Sequence, residues 1–478
     1  MRRAALALAL AALSVHALAA DGGRIAKQGN GKTAACASCH GANGEGNASA
    51  GYPMLAGLNE RYLAAQLEAF RTGTRVNAIM QPMAAELRNE EVAAVARYYA
   101  GLAQPKAARP AKTEANARGQ QLAHAGDWAR NVPPCVSCHG ENGEGVGIFP
   151  RLNGQHANYL VAQIDAWRNG KRSNDPQALM RHIAKALAPA DAKAVAEYFA
   201  SGAPQPAVPK PAAREAKDTR KVQKPPASKA AFTPPPESEI PNDGFGDMVR
   251  RGKLVFDDTQ THAKQYVGNA LNCRNCHLDS GRKADSAPMW GAYVLYPAFR
   301  SKNQKVNTMQ ERIQGCFRFS QNGKVPAPDS EVVTALVTYF YWMARGAPTG
   351  MELPGRGYPT LAKPEVEPSP VRGERVFQNR CAVCHGRDGQ GQQANGRYVF
   401  PPLWGPKSFN GGAGMSRVEL AAAFIKANMP LGQGNSLSDQ DAWDAAAYMN
   451  SHTRPADPRK QAKAAASGRK AGSERQQP

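Results

Sequence analysis

The chain has 478 residues, of which 60 are Lys or Arg and 39 are Asp or Glu, so its formal net charge is +21. After the N-terminal segment, no stretch reaches the roughly eighteen apolar residues that a membrane-spanning helix needs, which excludes such a span. Of the charge, +12 lies in residues 1–20, 203–231 and 454–478, which leaves +9 for the remaining parts. This distribution argues against nucleic acid and favours an anionic small molecule or an acidic redox partner.

The first predicted element is the N-terminal stretch MRRAALALALAALSVHALAA, residues 1–20. It begins with two arginines, continues with a short Ala/Leu core and ends in small residues, which is the layout of a secretory signal peptide. We therefore expect cleavage near residue 20 and export to the periplasm. In an oxidising compartment, pairs of cysteines would normally form structural disulfides.

Eight of the nine cysteines fall in four copies of Cys-x-x-Cys-His, the attachment sequence of c-type haem. Both thiols of such a site bind the porphyrin, and the histidine is placed to ligate the iron. A redox dithiol or half a zinc site would leave the invariable histidine unexplained. The sequence therefore predicts four covalently bound haem c groups. The attachment residues are Cys36, Cys39 and His40; Cys135, Cys138 and His139; Cys273, Cys276 and His277; and Cys381, Cys384 and His385.

Each haem motif is followed by a glycine-rich loop and then by a closing helical pattern, such as NEEVAAVARYYAGL in domain 1. The candidate N-caps of these closing helices are Asn89 in domain 1, Ser330 in domain 3 and Ser438 in domain 4. This repeat predicts an all-α chain of four class I cytochrome c-like domains in two dihaem halves. Each domain is too small to hold a core without its haem. The predicted segments are a signal peptide (1–20), domain 1 (21–104), domain 2 (117–202), a Pro/Lys/Ala-rich linker (203–241), domain 3 (242–350), domain 4 (369–453) and a basic tail (454–478).

The residue on the other face of each iron sets its chemistry, and methionine there gives a higher-potential electron carrier. A methionine follows the motif histidine at a similar distance in three domains. Rival ligands remain open in domain 1, where Met83 is near, and in domain 4, where Met415 and Lys407 are present. The predicted ligands are Met80, 40 residues after His40; Met180, 41 after His139; and Met429, 44 after His385.

In domain 3 the corresponding place, 39 residues after His277, is occupied by the ninth cysteine, Cys316. The alternatives are a buried structural cysteine, an intermolecular disulfide, or ligation by Met309 instead. Spacing and the affinity of sulfur for iron favour Cys316 as a thiolate ligand, which would lower the potential of that haem.

The segment around Cys316 is basic and polar. For any single one of these side chains a solvated surface position is the simpler interpretation. As a group beside a thiolate-ligated haem, they indicate a site for an anion, because the arginine fork suits a tetrahedral oxyanion. The candidate residues are Arg300, Lys302, Lys305, Arg312, Arg318 and Ser320.

The two halves resemble two known families, which together cover nearly the entire mature chain. The N-terminal half resembles dihaem cytochromes of the c4 type, on the stretches GYPMLAGLNERYLAAQLEAFRTGTR and FPRLNGQHANYLVAQIDAWRNGKRSND. The C-terminal half resembles dihaem thiosulfate dehydrogenase, on YVGNALNCRNCHLDSG, QERIQGCFRFSQNG, YVFPPLWGPKSFNGGAGM and NMPLG.

The first resemblance implies that Met80 and Met180 are haem ligands. The second implies that Cys316 ligates the active-site haem, that Met429 serves the second haem, and that Arg300, Arg312 and Ser320 line the substrate pocket. Lys302 is assigned to the same pocket, although the run FRSKNQKVN that contains it also aligns with a shift of two residues.

The resemblance also implies the reaction, in which two thiosulfate dianions are joined as tetrathionate with release of two electrons. The N-terminal half would be a tethered acceptor. A small cytochrome c, a high-potential iron-sulfur protein or an oxidase would then receive the electrons. The alternatives are a tetrathionate reductase working in the reverse direction and a periplasmic electron-transfer cytochrome without a substrate, which Cys316 disfavours.

Overall fold

The computed structural model describes residues 20–105, 114–202, 231–300 and 303–460. Within these ranges the chain is mostly helical, as predicted, with two short two-stranded antiparallel sheets in addition. No helix in the described ranges is long and apolar enough to cross a membrane. The predicted signal peptide (apart from its last residue), most of the linker and most of the tail lie outside the described residues.

The chain forms two compact units, and the first, Met1–Lys106, contains domain 1. Its core brings together residues of the first, third and last helices, among them Ile25, Tyr62 and Tyr99. The helices are α1 (Gly22–Gln28), α2 (Ala37–His40), α3 (Glu60–Arg71), α4 (Met80–Ala85) and α5 (Asn89–Ala100).

The second unit, Ala107–Pro478, contains the other three domains. Domain 2 repeats the arrangement of domain 1, with a core that includes Leu122, Leu160 and Phe199. Its helices are α6 (Glu114–His124), α7 (Val136–His139), α8 (Ala157–Arg168), α9 (Leu179–Ala186) and α10 (Pro189–Ala200).

Domain 3 has the largest buried core, in which Trp290, Tyr339 and Trp342 are fully buried. A short hairpin in front of the helix that carries Cys316 pairs Phe299 with Val306. The elements are α11 (Gly244–Asp257), α12 (Thr259–His262), α13 (Leu278–Gly281), α14 (Met289–Tyr293), β1 (Ala298–Arg300), β2 (Lys305–Asn307), α15 (Met309–Phe319) and α16 (Glu331–Met343).

Domain 4 carries its hairpin in a different place, directly after the haem motif. Its core includes Phe377, Trp404 and Trp443. The elements are α17 (Pro370–Arg380), α18 (Ala382–His385), β3 (Gln392–Ala394), β4 (Arg397–Phe400), α19 (Val418–Asn428) and α20 (Asp439–Ser451).

One packing contact recurs in all four domains, where a glycine of the first helix lies against the backbone of the last. A Cβ on Gly252 would come 2.1 Å from the carbonyl oxygen of Ala335. Only a residue without a side chain allows this approach. In the other three domains, a Cβ added to the glycine would lie equally close to a carbonyl oxygen of the last helix: Gly22 to that of Ala94 at 2.0 Å, Gly119 to that of Ala194 at 2.2 Å and Gly373 to that of Asp444 at 2.0 Å.

The folded part of domain 3 begins before the expected boundary at residue 241. The Phe232 ring lies 5.5 Å from that of Trp290, and Arg282 donates a hydrogen bond of 2.6 Å to the carbonyl of Pro235. Similarly, Gly411 donates its N–H to the carbonyl of Pro455, within the expected tail. These segments are held by aromatic and backbone contacts with distant residues, which composition does not reveal.

Candidate functional site

Each of the four motif histidines makes the same kind of hydrogen bond. In each, Nδ1 lies within hydrogen-bond distance of a backbone carbonyl oxygen from the following loop, which leaves Nε2 for a metal. Such a second contact fixes the orientation of a ligating imidazole. The pairs are His40 with Pro53 at 2.9 Å, His139 with Pro150 at 2.7 Å, His277 with Ala287 at 2.7 Å and His385 with Pro401 at 3.0 Å.

The electrostatics of the motifs fit covalently attached haem. Burial lowers the pKa of all four histidines, to about 4 for His277, so the rings are neutral, as iron ligation requires. Burial also raises the pKa of the Cys273 and Cys276 thiols to about 12, so these sulfurs are not prepared as thiolates for a bare ion. Among the described residues, no group of three or more His, Cys, Asp or Glu gathers to hold a metal ion.

The helix that carries Cys316, α15, starts at a capping box. The Thr308 hydroxyl accepts a hydrogen bond from the Glu311 N–H, and the Glu311 carboxylate accepts one from the Thr308 N–H. Met309, Ile313 and Phe317 are its buried residues. This anchoring sets the rotation of the helix, so Cys316 lies at the edge of its buried face.

Arg312 and Cys316 are four residues apart on α15 and therefore lie one above the other. The Arg312 Nη1 donates a hydrogen bond of 3.0 Å to the Cys316 sulfur. The electrostatic interaction with that sulfur, acting against burial, raises the pKa of Arg312 above its usual range. A cation thus faces the sulfur that was predicted to ligate iron.

Cys316 also belongs to the haem motif of domain 3 in space. Its sulfur interacts electrostatically with Cys273 and Cys276, and Arg312 contributes to the low pKa of His277 after burial. Met309, the rival ligand, is 6% exposed and belongs to the apolar core cluster that contains Trp290. Cys316 therefore remains the predicted ligand of domain 3.

The other predicted pocket residues lie at different distances from this pair. Ser320 caps the C-terminus of α15, one turn beyond Cys316. Arg300 is exposed at the end of β1, with its guanidinium carbon 6.0 Å from the centre of the Tyr296 ring. Lys302 lies outside the described residues, and Lys305 forms an ion pair with Glu311 instead.

Two tyrosines near Arg312 were not identified from the sequence. Tyr296 interacts electrostatically with Arg312, and its buried hydroxyl makes no hydrogen bond with any residue that the structure describes. The Tyr358 hydroxyl donates a hydrogen bond of 3.1 Å to the carbonyl of Cys276, and burial raises its pKa well above the usual value. Tyr358 lies in the connection to domain 4, where no repeat or motif marks it.

The candidate methionine ligands of the other domains lie in different surroundings. In domain 1, the Thr33 hydroxyl donates to the Met83 sulfur at 3.3 Å, so the rival methionine already has a partner. Met80 starts α4, and Met180 is the second residue of α9. Both therefore remain the predicted ligands of their domains.

In domain 4, a cavity of about 660 Å³ adjoins the haem motif and is lined by Cys381, Cys384, His385 and Met429. Met415 and Lys407, the rival candidates for the ligand position, border the same cavity as Met429. The lining extends to Cys138 of domain 2 and Cys276 of domain 3. Attachment residues of three haem motifs thus border one space.

Domains 2 and 4 meet at an apolar junction. The rings of Phe149 and Phe400 are 5.1 Å apart, and the cluster around them includes the attachment residues Cys138 and Cys384. Nearby, Gln433 donates a hydrogen bond of 3.0 Å to the carbonyl of Gln177, three residues before Met180. The linker separates the two halves along the chain, whereas these contacts join domain 2 to domain 4 in space.

Two known families match different parts of the chain. Residues 21–103, 116–203 and 370–453 match the family described as cytochrome c. Residues 260–349 match the family described as SoxA/TsdA, cytochrome c domain. The match that differs from the other three therefore falls on the domain that contains Cys316.

The chain is similar to two kinds of characterised protein. It is 59% identical over 233 residues to a thiosulfate dehydrogenase of Stutzerimonas stutzeri, which covers 49% of this chain and 76% of that protein. It is 51% identical over 193 residues to a thiosulfate dehydrogenase electron acceptor of the same organism, which covers 40% of this chain and 89% of that protein.

A solved structure, thiosulfate dehydrogenase (TsdBA) from Marichromatium purpuratum in its as-isolated form, resembles the whole fold. Its TM-score is 0.82 at 45% sequence identity, and the alignment covers 92% of each chain. Together with the four attachment motifs, these matches identify a cytochrome with covalently bound haem c. The chain belongs to the thiosulfate dehydrogenase family and joins a dehydrogenase part and an electron-acceptor part in one polypeptide.

Proposed function

We propose that the chain oxidises thiosulfate to tetrathionate at the Cys316 site of domain 3. Two thiosulfate dianions form one sulfur–sulfur bond and release two electrons. The observation that carries the proposal is the hydrogen bond of 3.0 Å from Arg312 to the Cys316 sulfur, beside the haem motif of domain 3. A purely electron-transferring domain has no need of a cation at this position.

The haem of domain 3, when bound through Cys273, Cys276, His277 and Cys316, supplies a one-electron acceptor. The chain's own residues bind and orient the substrate. Arg312 provides fixed positive charge that offsets the repulsion between two dianions in a partly buried site. Arg300, exposed on the hairpin, adds charge at the approach to the site, and Ser320 offers a hydroxyl one turn along α15.

We also propose that the electrons leave through domain 4 and enter the N-terminal part at domain 2. The attachment residues Cys138 and Cys384 lie in one apolar cluster, so groups held there are neighbours. An apolar junction excludes water and keeps the two domains in a fixed arrangement. The tether replaces a diffusing acceptor by a high local concentration.

The direct test mixes the purified full-length protein with thiosulfate without oxygen and follows the visible haem bands. We expect reduction of the haems and one tetrathionate for every two electrons. Sulfate is the matched control, because it is a dianion of similar shape without the outer sulfur. Haems that stay oxidised with thiosulfate would contradict the proposed function.

Cutting the chain at its linker locates the activity. A fragment starting at residue 231, which keeps the Phe232 contact, should oxidise thiosulfate with an artificial acceptor. A fragment of the N-terminal part should be redox-active but inert toward thiosulfate. If only the N-terminal fragment oxidised thiosulfate, the reaction would lie in the N-terminal half, and the assignment to domain 3 would be contradicted.

We further propose that the protein works in the periplasm and delivers its electrons to a small cytochrome c, a high-potential iron-sulfur protein or an oxidase. The N-terminal stretch MRRAALALALAALSVHALAA supports export, and haem c attachment fits that compartment. Fractionation of cells, with mass spectrometry of the mature N-terminus, tests this. An uncleaved protein in the cytoplasmic fraction would contradict it.

A further inference from the structure

Arg397, the first residue of β4 in domain 4, forms ion pairs with two other domains. Its Nη1 forms an ion pair of 2.9 Å with Glu141 of domain 2, and its Nη2 forms one of 2.7 Å with Asp258 of domain 3. Its own backbone belongs to the hairpin of domain 4. No single domain requires these contacts, because both partners lie outside the domain that supplies the arginine.

The carboxylates around Arg397 would repel one another without it. The side chains of Glu141 and Asp258 are only 21% and 16% exposed, so water screens them poorly. Burial acts to raise the pKa of Asp258, yet the hydrogen bond from Arg397 keeps it below the usual value. Glu144 adds a third negative charge that interacts with Arg397, and it accepts a weak hydrogen bond from Asn395 of the same hairpin.

The hairpin that carries Arg397 also holds the haem motif of domain 4. Gln392 of β3 donates hydrogen bonds of 2.8 and 2.9 Å to the carbonyls of Val383 and Cys384. Phe400, at the end of β4, lies against Phe149 of domain 2. One short element therefore connects the motif of domain 4, the apolar junction and the ion pairs to both neighbouring domains.

We propose that Arg397 is a positioning residue, which holds domains 2, 3 and 4 in the arrangement needed for electron transfer between the attachment sites of domains 4 and 2. This inference rests on the proposed electron route, although not on the identity of the substrate. In this proposal Arg397 acts through domain placement.

The test compares Arg397→Glu with Arg375→Glu in the full-length protein with its haems. Arg375 is an exposed arginine on α17 of the same domain, so its variant makes the same change in charge. Hydrogen exchange of residues 392–400 and 141–149 reports the junction directly, since loss of docking exposes their backbone. Photoreduction of the oxidised protein, without thiosulfate, reports how fast electrons redistribute within the chain.

For Arg397→Glu we expect faster exchange in both segments and internal electron redistribution slowed roughly tenfold, which corresponds to about 1.4 kcal/mol. Haem spectra, potentials and thiosulfate oxidation with an artificial acceptor should stay at wild-type values. Arg375→Glu should leave every quantity unchanged. Arg397→Lys, and the charge exchange Arg397→Glu with Glu141→Arg, should restore a large part of the rate.

Unchanged exchange and redistribution in Arg397→Glu would overturn the positioning role. Equal effects of Arg375→Glu would do the same, because they would indicate a general response to charge. The proposed function fails separately, if thiosulfate does not reduce the wild-type haems. Photoreduction needs no thiosulfate, so the result on Arg397 stands in either case.

Discussion

Domains 3 and 4 show how one scaffold can carry two different candidate sites. In both, a glycine of the first helix packs on the last helix, and the motif histidine is held through Nδ1 by a backbone carbonyl. They differ at the predicted sixth ligand. Cys316 accepts a hydrogen bond from Arg312, whereas Met429 borders the cavity that adjoins the haem motif of domain 4. The arginine hydrogen-bonded to the sulfur is therefore the feature that marks domain 3 as the candidate reaction site.

The hairpins of the two domains differ in the same sense. The hairpin β1–β2 precedes α15 and brings Arg300 to the side of Tyr296, near the candidate site. The hairpin β3–β4 follows the motif of domain 4 and brings Phe400 and Arg397 to domain 2. Each insertion adds to the haem scaffold the contact that its proposed task requires.

The substitution Cys316→Met breaks the comparison most completely, because it gives domain 3 the ligand type of domain 4. The domain should fold and keep its haem, and the potential should rise with the loss of an anionic ligand. A purely redox role for the thiolate would leave activity intact or faster. We expect a loss of about a hundredfold, at the upper end of the cost of changes around metal sites.

We expect that loss because Cys316 would take part in the sulfur chemistry. Once free of iron, its thiolate would bond to the outer sulfur of thiosulfate with loss of two electrons, for which bound haem would be the acceptor. Attack by a second thiosulfate would then free the thiolate and release tetrathionate. Turnover assays and redox titration measure both effects. The control is Met309→Leu, which should change neither spectrum nor rate. A wild-type spectrum in Cys316→Met would exclude Cys316 as a ligand.

Neutralising Arg312 tests whether the cation, rather than the sulfur alone, makes domain 3 a substrate site. In Arg312→Gln we expect KM for thiosulfate to rise roughly tenfold or more, because charged hydrogen bonds contribute about 1.5–3 kcal/mol. Arg318→Gln is the matched control, since Arg318 is exposed on the same helix. Steady-state kinetics of the two variants decide the point, and equal KM values would remove Arg312 from the site.

The sequence was sufficient for the local features of this comparison. The motifs located the four haem sites, and Ser330 and Ser438 are N-caps, as predicted. Asn89 was wrong by one position, because Arg88 is the N-cap and its N–H is bound by the Glu91 carboxylate. Caps and motifs depend on neighbours within a few residues, which a sequence displays directly.

Contacts between distant segments were beyond that reasoning. Along the chain, Tyr358 is 82 residues from its partner Cys276. Arg397 is likewise distant in sequence from Glu141 and Asp258, with which it forms ion pairs. Neither residue belongs to a motif or follows a helical period. The basic cluster at residues 300–320 could be identified from its charge. Only the geometry shows that Arg312 donates a hydrogen bond to the Cys316 sulfur, whereas Lys305 forms an ion pair with Glu311.

A contact between domains 3 and 4 offers a test of domain 4, the candidate electron relay. Lys283 of domain 3 donates a hydrogen bond of 2.8 Å to Asn428, which directly precedes Met429 and is 2% exposed. In Lys283→Met, the buried amide oxygen loses its partner, a cost of about 1–3 kcal/mol. We expect a lower melting temperature and a changed spectrum and potential of the domain 4 haem, with KM for thiosulfate unchanged.

Lys283→Arg retains a donor and should restore most of the spectrum and potential. Redox titration and thermal unfolding, followed at the haem bands, measure these effects. A raised KM with an unaltered domain 4 haem would assign Lys283 to the substrate side of the comparison and contradict this interpretation.

Arg300 should give the smallest effect, because it is exposed and acts on the substrate through water. Exposed charge pairs contribute up to about 1 kcal/mol, so Arg300→Gln should raise KM no more than about fivefold. The wild-type rate at low thiosulfate should fall as salt is added, since a Debye length of about 10 Å at 0.1 M screens the attraction of a dianion. Arg300→Gln should show a weaker salt dependence than wild type and the same kcat. An identical salt dependence in both proteins would mean that the charge on the hairpin has no part in substrate approach, and that Arg312 alone separates domain 3 from domain 4.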